Sequence, residues 1–266
     1  MEPESRRRLI ELYERSLERH GSTIRGVRWG SEGCQQQRFR VLLAVGPWQE
    51  VSVADIGCGV GDFFGFLRDS GYHVDYTGYD ISPKMVDAAR RKYPDPAARF
   101  EVRDILDDGL PGPFDYVVAS GTFNIRVDNH DAFMREMLAL MYAECRRAVA
   151  FNVLQPLSPA DPRYEELKAV FGEFYYEIDT EQVVAACRAL CPDVAFKDGY
   201  LSRDPAGPEL FDEDSTVFMY KRPLTADPPA GAPTERSEAG LPGPTRGGSG
   251  STPAGEVPSP DSAPRG

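Results

Sequence analysis

The sequence predicts an α/β protein with a mostly parallel, doubly wound sheet and helices on both faces. Three observations lead to this prediction. Runs of β-branched and aromatic residues alternate with segments of helical periodicity. A glycine-rich turn at 57–61 follows the first strand and opens a helix. The last two strands follow one another with no helix between them, so they must pair as a hairpin, which predicts one antiparallel edge strand.

Each element is identified from its own residues. Val51 opens a β-rich run that ends at the glycines, and Ser82 and Pro83 are a helix N-cap and a first-turn proline. Apolar residues that recur every three or four positions after Asp131 predict a further helix. The predicted strands are 51–56, 73–79, 99–103, 114–119, 148–154, 194–201 and 216–221, and the predicted helices are 63–70, 82–92, 131–147 and 180–190.

Residues on either side of the sheet region predict a helical cap and a disordered tail. In residues 1–48 an apolar helical stripe predicts a helix that either packs over a ligand cleft as a lid or only covers the sheet edge. Residues 49–222 form the α/β domain, with an aromatic-rich insertion at 155–178. The 44 residues from Pro223 contain ten prolines, eight glycines and no aromatic residue, so we expect disorder there.

Composition and charge exclude several classes of protein. The net charge is −12, and such a protein repels phosphate backbones, so we expect no nucleic-acid partner. No apolar run approaches the ~18 residues that span a bilayer, and the N-terminus lacks a signal-peptide pattern, so we expect a cytoplasmic protein without a membrane partner. The five cysteines are expected to be free thiols, and the three histidines lack ligand spacing, so no metal is predicted.

The segment Asp55-Ile-Gly-Cys-Gly-Val-Gly-Asp62 is the central motif. It follows a strand and opens a helix, which is the context in which such a glycine motif has meaning. Its glycines let the backbone turn sharply and let a ligand approach without a Cβ in the way. The GxGxG spacing differs from the GxGxxG of nicotinamide and flavin binders, which have a glycine where this chain has Asp62.

Acidic residues end the next two strands. Asp80 lies 23 residues after Gly57, the distance at which an acid meets ribose hydroxyls. Asp104 ends the third strand, where a carboxylate can accept a hydrogen bond from an adenine amino group. Alternatively, Asp80 caps the helix that begins at Ser82, and Asp104 is a loop residue. Their positions at successive strand ends behind a glycine turn favour a nucleoside ligand.

The set DIGCGVGD, YDIS, RDIL and FDYVVASG resembles the class I S-adenosylmethionine-dependent methyltransferases, over about residues 51–221. The resemblance implies a Rossmann-like sheet of seven strands and S-adenosylmethionine as the methyl donor. It also implies that Arg38 pairs with the methionine carboxylate, although Arg38 is equally explained as a solvated helix residue. The implied cofactor-binding residues are Asp55, Gly57 and Gly59 at the methionine moiety, Asp80 at the ribose, Ile81, Asp104 and Ile105 at the adenine, Ser120 beside the sulfonium, and, less specifically placed, Arg38, Cys58 and Met85.

The sequence contains no obvious general base. His130, Tyr175 and Tyr176 are candidate catalytic residues, and a surface position or core packing explains each of them as well. The segment 119–124 lacks the Asp/Asn-Pro-Pro-Tyr motif of enzymes that methylate adenine or glutamine amides. We therefore expect a small-molecule acceptor, a metabolite or a natural-product intermediate, methylated by direct displacement. The alternatives are a catalytically silent scaffold that binds S-adenosylmethionine, or another transferase of the same fold.

Overall fold

The structure is a computed structural model that describes residues 1–154, 165, 175–176, 178–200 and 214–221. Within these residues seven strands form one sheet. The strands are β1 (Val51–Ile56), β2 (Val74–Asp80), β3 (Ala98–Val102), β4 (Phe114–Ala119), β5 (Cys145–Leu154), β6 (Asp193–Tyr200) and β7 (Asp214–Tyr220). Their order across the sheet is β3-β2-β1-β4-β5-β7-β6.

The predicted fold class is confirmed, with a difference at one edge. Strands β1 to β5 are parallel, and β7 is antiparallel to both β5 and β6. The antiparallel strand therefore lies one position inside the edge, within an antiparallel edge pair, and β6 is outermost. Residues 215–220 of β7 are all buried, and β7 has a hydrogen-bonded strand on each side. The outermost strand carries Lys197 and Asp198, which an edge tolerates.

The described helices lie before and between the strands. They are α1 (Pro3–His20), α2 (Glu32–Leu42), α3 (Asp62–Asp69), α4 (Pro83–Lys92), α5 (Ile105–Asp108), α6 (His130–Ala143) and α7 (Thr180–Leu190). The predicted start of α4 is confirmed, because Ser82 Oγ accepts a hydrogen bond from the Met85 backbone N–H at 3.2 Å. The predicted extension of α6 to residue 147 is wrong. Cys145 pairs with Phe114 of β4, so residues 145–147 belong to strand β5 and not to the helix.

Helices cover both faces of the sheet. On one face, α2 packs over β5 and β7, and α3 buries Phe64 against Tyr76 of β2. On the other face, α6 buries Leu138 over β4 and β5, and α7 buries Val184 over β6 and β7. The carboxyl ends of the strands thus remain the place where loops can form a site.

Parts of the sequence-based prediction lie outside the described residues. The insertion 155–178 is described only at residues 165, 175, 176 and 178, and the tail 223–266 and the loop of the last hairpin fall outside. These assignments stay predictions. None of the described helices is both long enough and apolar enough to cross a bilayer.

Candidate active site

The turn between β1 and α3 brings bare backbone to the carboxyl end of the sheet. Gly57 and Gly59 have φ values of 74° and 54°, in the left-handed region that favours glycine. A Cβ at Gly57 would lie 2.6 Å from Thr122 Oγ1, so this position must be glycine. The Gly57 and Cys58 N–H groups donate to the Tyr79 carbonyl at 2.8 and 3.1 Å, which holds the turn against β2.

Asp80, at the end of β2, holds the same turn from the other side. Its Oδ2 accepts from the Gly59 N–H and its Oδ1 from the Ser82 N–H, both at 2.9 Å. Burial raises the pKa of Asp80, and these backbone hydrogen bonds oppose the rise. Asp80 therefore supports the entry to α4, as the alternative interpretation predicts. Its contact with ribose hydroxyls stays a prediction, for which each oxygen keeps a lone pair.

Asp104, at the end of β3, meets the N-terminal helix. Its Oδ1 accepts from the Leu106 N–H at 3.0 Å and caps α5. Its Oδ2 lies 2.7 Å from Arg6 Nη2 of α1, and the side chain is 11% exposed. The pair is ionic without hydrogen-bond geometry, so within the described residues this buried oxygen has no hydrogen-bond donor. A ligand N–H group is the donor that such an oxygen lacks.

Asp55, at the end of β1, lies beneath the turn. Its side chain is buried, and the Tyr76 hydroxyl donates a hydrogen bond to Oδ2. Burial raises the pKa of Asp55 to about 7, although the hydrogen bond from Tyr76 lowers it. Asp55 therefore supports the turn as well as bordering the space above it.

These groups border one cavity of about 550 Å³, within the range of small-molecule sites. All the residues predicted to bind the cofactor line it. They are Arg38, Asp55, Gly57, Cys58, Gly59, Asp80, Ile81, Met85, Asp104, Ile105 and Ser120. Asp80 and Asp104 thus face the same space, as a single nucleoside ligand requires.

The N-terminal helix crosses the ends of β2, β3 and β4 above this cavity. Glu14 accepts from Ser82 Oγ at 3.0 Å, and Ser5 donates to Asp128 at 2.5 Å. Tyr13 lines the cavity, and burial raises the pKa of its phenol, with the Tyr175 hydroxyl and the Asp80 carboxylate acting in the same direction. The sequence analysis missed Tyr13 because it fits the apolar stripe of an amphipathic helix.

The segment between α1 and α2 closes the other side. Trp29 approaches to 3.3 Å from the position that a Cβ on Gly121 would occupy, beside Ser120. The Arg38 guanidinium lies 4.6 Å from the centre of the Trp29 ring, a cation–π contact. Arg38 is buried at the cavity wall, which contradicts its interpretation as a solvated helix residue.

Polar side chains that the sequence analysis did not select lie at the ends of β4 and β5. Asn152 of β5 bonds Ser120 and Gly121 through its two amide ends, and Asn124 also lines the cavity. Asn152 is the one polar residue in the run 148–154 of this strand, and this exception to the apolar pattern is the signal that could have identified it.

Of the candidate catalytic residues, only Tyr175 lines the cavity. His130 is buried, with its ring stacked on Tyr176 at 3.8 Å, and burial lowers its pKa to about 4. The Tyr176 hydroxyl donates to Asp131 at 2.7 Å. The structure therefore does not bring His130 or Tyr176 to the site. The two rings pack on each other at the start of α6, away from the cavity lining.

Comparisons with known proteins identify the family. A family model described as "Methyltransferase domain" matches residues 53–143. Rv1506c of Mycobacterium tuberculosis, which is named as a candidate methyltransferase, is 36% identical over 137 residues, covering 48% of this chain and 76% of that protein. The chain belongs to the class I S-adenosylmethionine-dependent methyltransferases. The predicted methyl donor of this methyltransferase, S-adenosylmethionine, is thereby confirmed.

Solved structures show that the methyltransferase shares this fold. Magnesium protoporphyrin IX methyltransferase of Synechocystis PCC 6803, with bound S-adenosylhomocysteine (SAH), aligns with a TM-score of 0.59 at 18% identity. The alignment covers 82% of this chain and all of that one. The N-methyltransferase NodS of Bradyrhizobium japonicum, also in complex with SAH, aligns with a TM-score of 0.57 at 15% identity, over 79% of this chain and 97% of that one.

Proposed function

We propose that this methyltransferase methylates a small-molecule acceptor bound in the cavity beneath α1. The observation that carries the proposal is that all the residues predicted for the cofactor line this one cavity. When bound, S-adenosylmethionine supplies an electrophilic methyl group, which an acceptor lone pair takes while the electrons of the broken C–S bond stay on sulfur. The protein's own task is to hold and align the two reactants.

Three groups of residues would hold the cofactor. Asp80 would accept hydrogen bonds from the ribose hydroxyls, and Asp104 Oδ2 would accept one from the adenine amino group. Ile81 and Ile105 offer apolar contact for the adenine, and the turn at Gly57 offers bare backbone to the methionine moiety. Each assignment is supported by an acceptor atom or a surface that faces the cavity.

The enclosure of the cavity supports a small acceptor. Helix α1 spans the strand ends above it, and Trp29 packs over Gly121 on the other side. A long polymer would have to displace these elements. The net charge of −12 also disfavours a nucleic-acid acceptor.

Calorimetry with SAH tests the proposal. Asp80→Ala should weaken binding by about 1–3 kcal/mol, because hydrogen bonds to a charged group are lost. Asp75→Ala is the matched control: Asp75 is exposed on the same strand and pairs with Arg99, so SAH affinity should not change. Wild-type protein that fails to bind SAH, or equal affinity in Asp80→Ala and wild type, contradicts the assignment. Melting curves check that each variant is folded.

A further inference from the structure

We propose that Asn124 and Ser120 form a pair of hydrogen-bond donors that binds an oxygen atom of the methyl acceptor. The acceptor then belongs to the class of molecules that carry a carboxylate or a carbonyl group. This inference rests on the proposed function, because both residues line the same cavity. It adds the chemistry of the acceptor, which the cofactor-binding residues do not specify.

The Asn124 side chain is fixed at one end and unused at the other. Its Oδ1 accepts a hydrogen bond from the Leu154 backbone N–H at 3.1 Å, which sets the orientation of the amide. Within the described residues Nδ2 has no hydrogen-bond partner, although the residue is only 5% exposed and lines the cavity. Nδ2 is therefore a donor at the cavity wall, where a ligand acceptor atom can replace its hydrogen bond to water.

Ser120 is oriented by a second amide. Asn152 is 1% exposed, its Oδ1 accepts from the Gly121 N–H at 2.9 Å, and its Nδ2 donates to Ser120 Oγ at 3.0 Å. Because Ser120 Oγ accepts this bond, its own O–H remains available as a donor. No acceptor for that proton lies among the described residues.

Thr122, which lies between Ser120 and Asn124, has no free donor. Thr122 donates its hydroxyl to the Ile56 carbonyl at 2.7 Å, so its donor is already used in holding the turn to β1. The turn after β4 therefore presents two donors to the cavity, one on each side of Thr122. Donors suit an sp² oxygen, which has two lone pairs, and they do not suit an ammonium group, which has no acceptor.

Nuclear magnetic resonance of the full chain saturated with SAH tests the pair directly. The Asn124 side-chain amide signals are assigned by their loss in Asn124→Asp, which keeps an oxygen for the Leu154 N–H and replaces the donor by an acceptor. Benzoate, acetophenone and toluene serve as the carboxylate, carbonyl and oxygen-free probes. We expect benzoate or acetophenone to move the Asn124 amide protons downfield and toluene to leave them in place. The more effective oxygen probe distinguishes the carboxylate from the carbonyl.

Affinities of the variants give a second measurement. Asn124→Asp should weaken binding of the more effective probe about tenfold or more. Ser120→Ala, which leaves the Asn124–Leu154 bond intact, should also weaken it. Asn129→Gly is the control, because Asn129 lies outside the cavity lining and has a φ of 52°, which glycine adopts freely.

Distinct outcomes separate the two proposals. If wild-type protein does not bind SAH, the proposed function fails. If SAH binds and the Asn124 signals do not respond to either oxygen probe, or respond equally to toluene, the donor pair is overturned and the cofactor assignment stands. Unchanged probe affinity in both folded variants overturns it as well.

Discussion

Asp55 is the residue whose surroundings set a pH dependence for the whole domain. Its buried carboxyl has a pKa raised from 3.8 to about 7, chiefly by burial and in addition by the neighbouring Asp80 and Asp62 carboxylates. The folded protein therefore holds this proton more tightly than the unfolded chain does. Stability contributed by the neutral form is present below pH ~4 and is lost as the pH rises to about 7.

We expect Asp55→Asn to flatten this dependence. The amide is never charged, and its oxygen still accepts the hydrogen bond from Tyr76. The free energy of unfolding, measured with urea between pH ~5 and ~8 without SAH, should fall with pH less steeply in the variant than in wild type. The difference between the two proteins isolates Asp55, because Asp80, whose pKa burial raises, and His130, whose pKa burial lowers to about 4, titrate in both. Parallel curves for the two proteins would show that Asp55 is not the group that titrates.

The residues of the site were predictable to different extents. Asp80 and Asp104 could be identified because an acid at a strand end is visible in the linear sequence. Asn124 could not, and neither could the orientation of Ser120, because Leu154 and Asn152 fix these side chains from a strand about thirty positions further along the chain. Arg6 was missed for the same reason: nothing local indicates that it meets Asp104.

At the scale of elements, α1 and α2 are attached in different ways. Only Ser5 and Leu17 of α1 are buried, and ion pairs such as Arg8–Asp128 tie the helix to the segment after β4. Exposed pairs of this kind contribute about 0–1 kcal/mol each. Helix α2, in contrast, buries Phe39 and Leu42 in the core. Moving α1 therefore uncovers only the small cluster that Leu17 forms with Val60 and Met85, whereas moving α2 opens the main core.

Hydrogen exchange of the α1 amides tests this attachment. Arg6→Gln should speed exchange, because Arg6 pairs with both Asp104 and Asp107. Raised salt should do the same in wild type by screening the pair. Arg7→Gln is the matched control, since Arg7 pairs only with Glu4 within α1, and it should leave exchange unchanged.

The same measurement decides between the two interpretations of α1. If α1 is a lid over bound cofactor, SAH should slow its exchange in wild type. If the hydrogen exchange of the α1 amides does not respond to SAH, α1 only covers the edge of the sheet. Equal rates in Arg6→Gln and wild type would show that the ion pairs do not hold the helix.

Element boundaries show where sequence patterns stop being informative. The helical spacing of α6 continues through Ala148, yet residues from Cys145 onward pair with β4, since sheet hydrogen bonding overrides local periodicity there. Helix α5 has four residues, too few for any periodicity to be visible. The bounds of α2 were not predicted, because residues 32–38 contain no apolar residues at helical spacing.

For the molecule as a whole, strand–helix alternation was sufficient to predict a doubly wound sheet. It was not sufficient to predict that β7 inserts between β5 and β6. The strand register shows that order, because β7 pairs with β5 on one side and with β6 on the other. The hydrophobic pattern within each strand does not indicate which strand lies at the edge of the sheet.

The position of β7 predicts how truncation affects the chain. Ending the chain after Arg222 removes the Pro- and Gly-rich tail and keeps the hydrogen bond from the Lys221 N–H to the Arg147 carbonyl. Melting temperature and SAH affinity should both stay at their wild-type values. Ending it after Thr216 instead removes the buried Val217, Phe218 and Met219, and with them most of the strand that pairs with both β5 and β6. That chain should fail to melt cooperatively, because large buried side chains contribute about 2–5 kcal/mol each. A lower melting temperature or weaker SAH binding in the first truncation would show that the tail contributes to the fold or to the site.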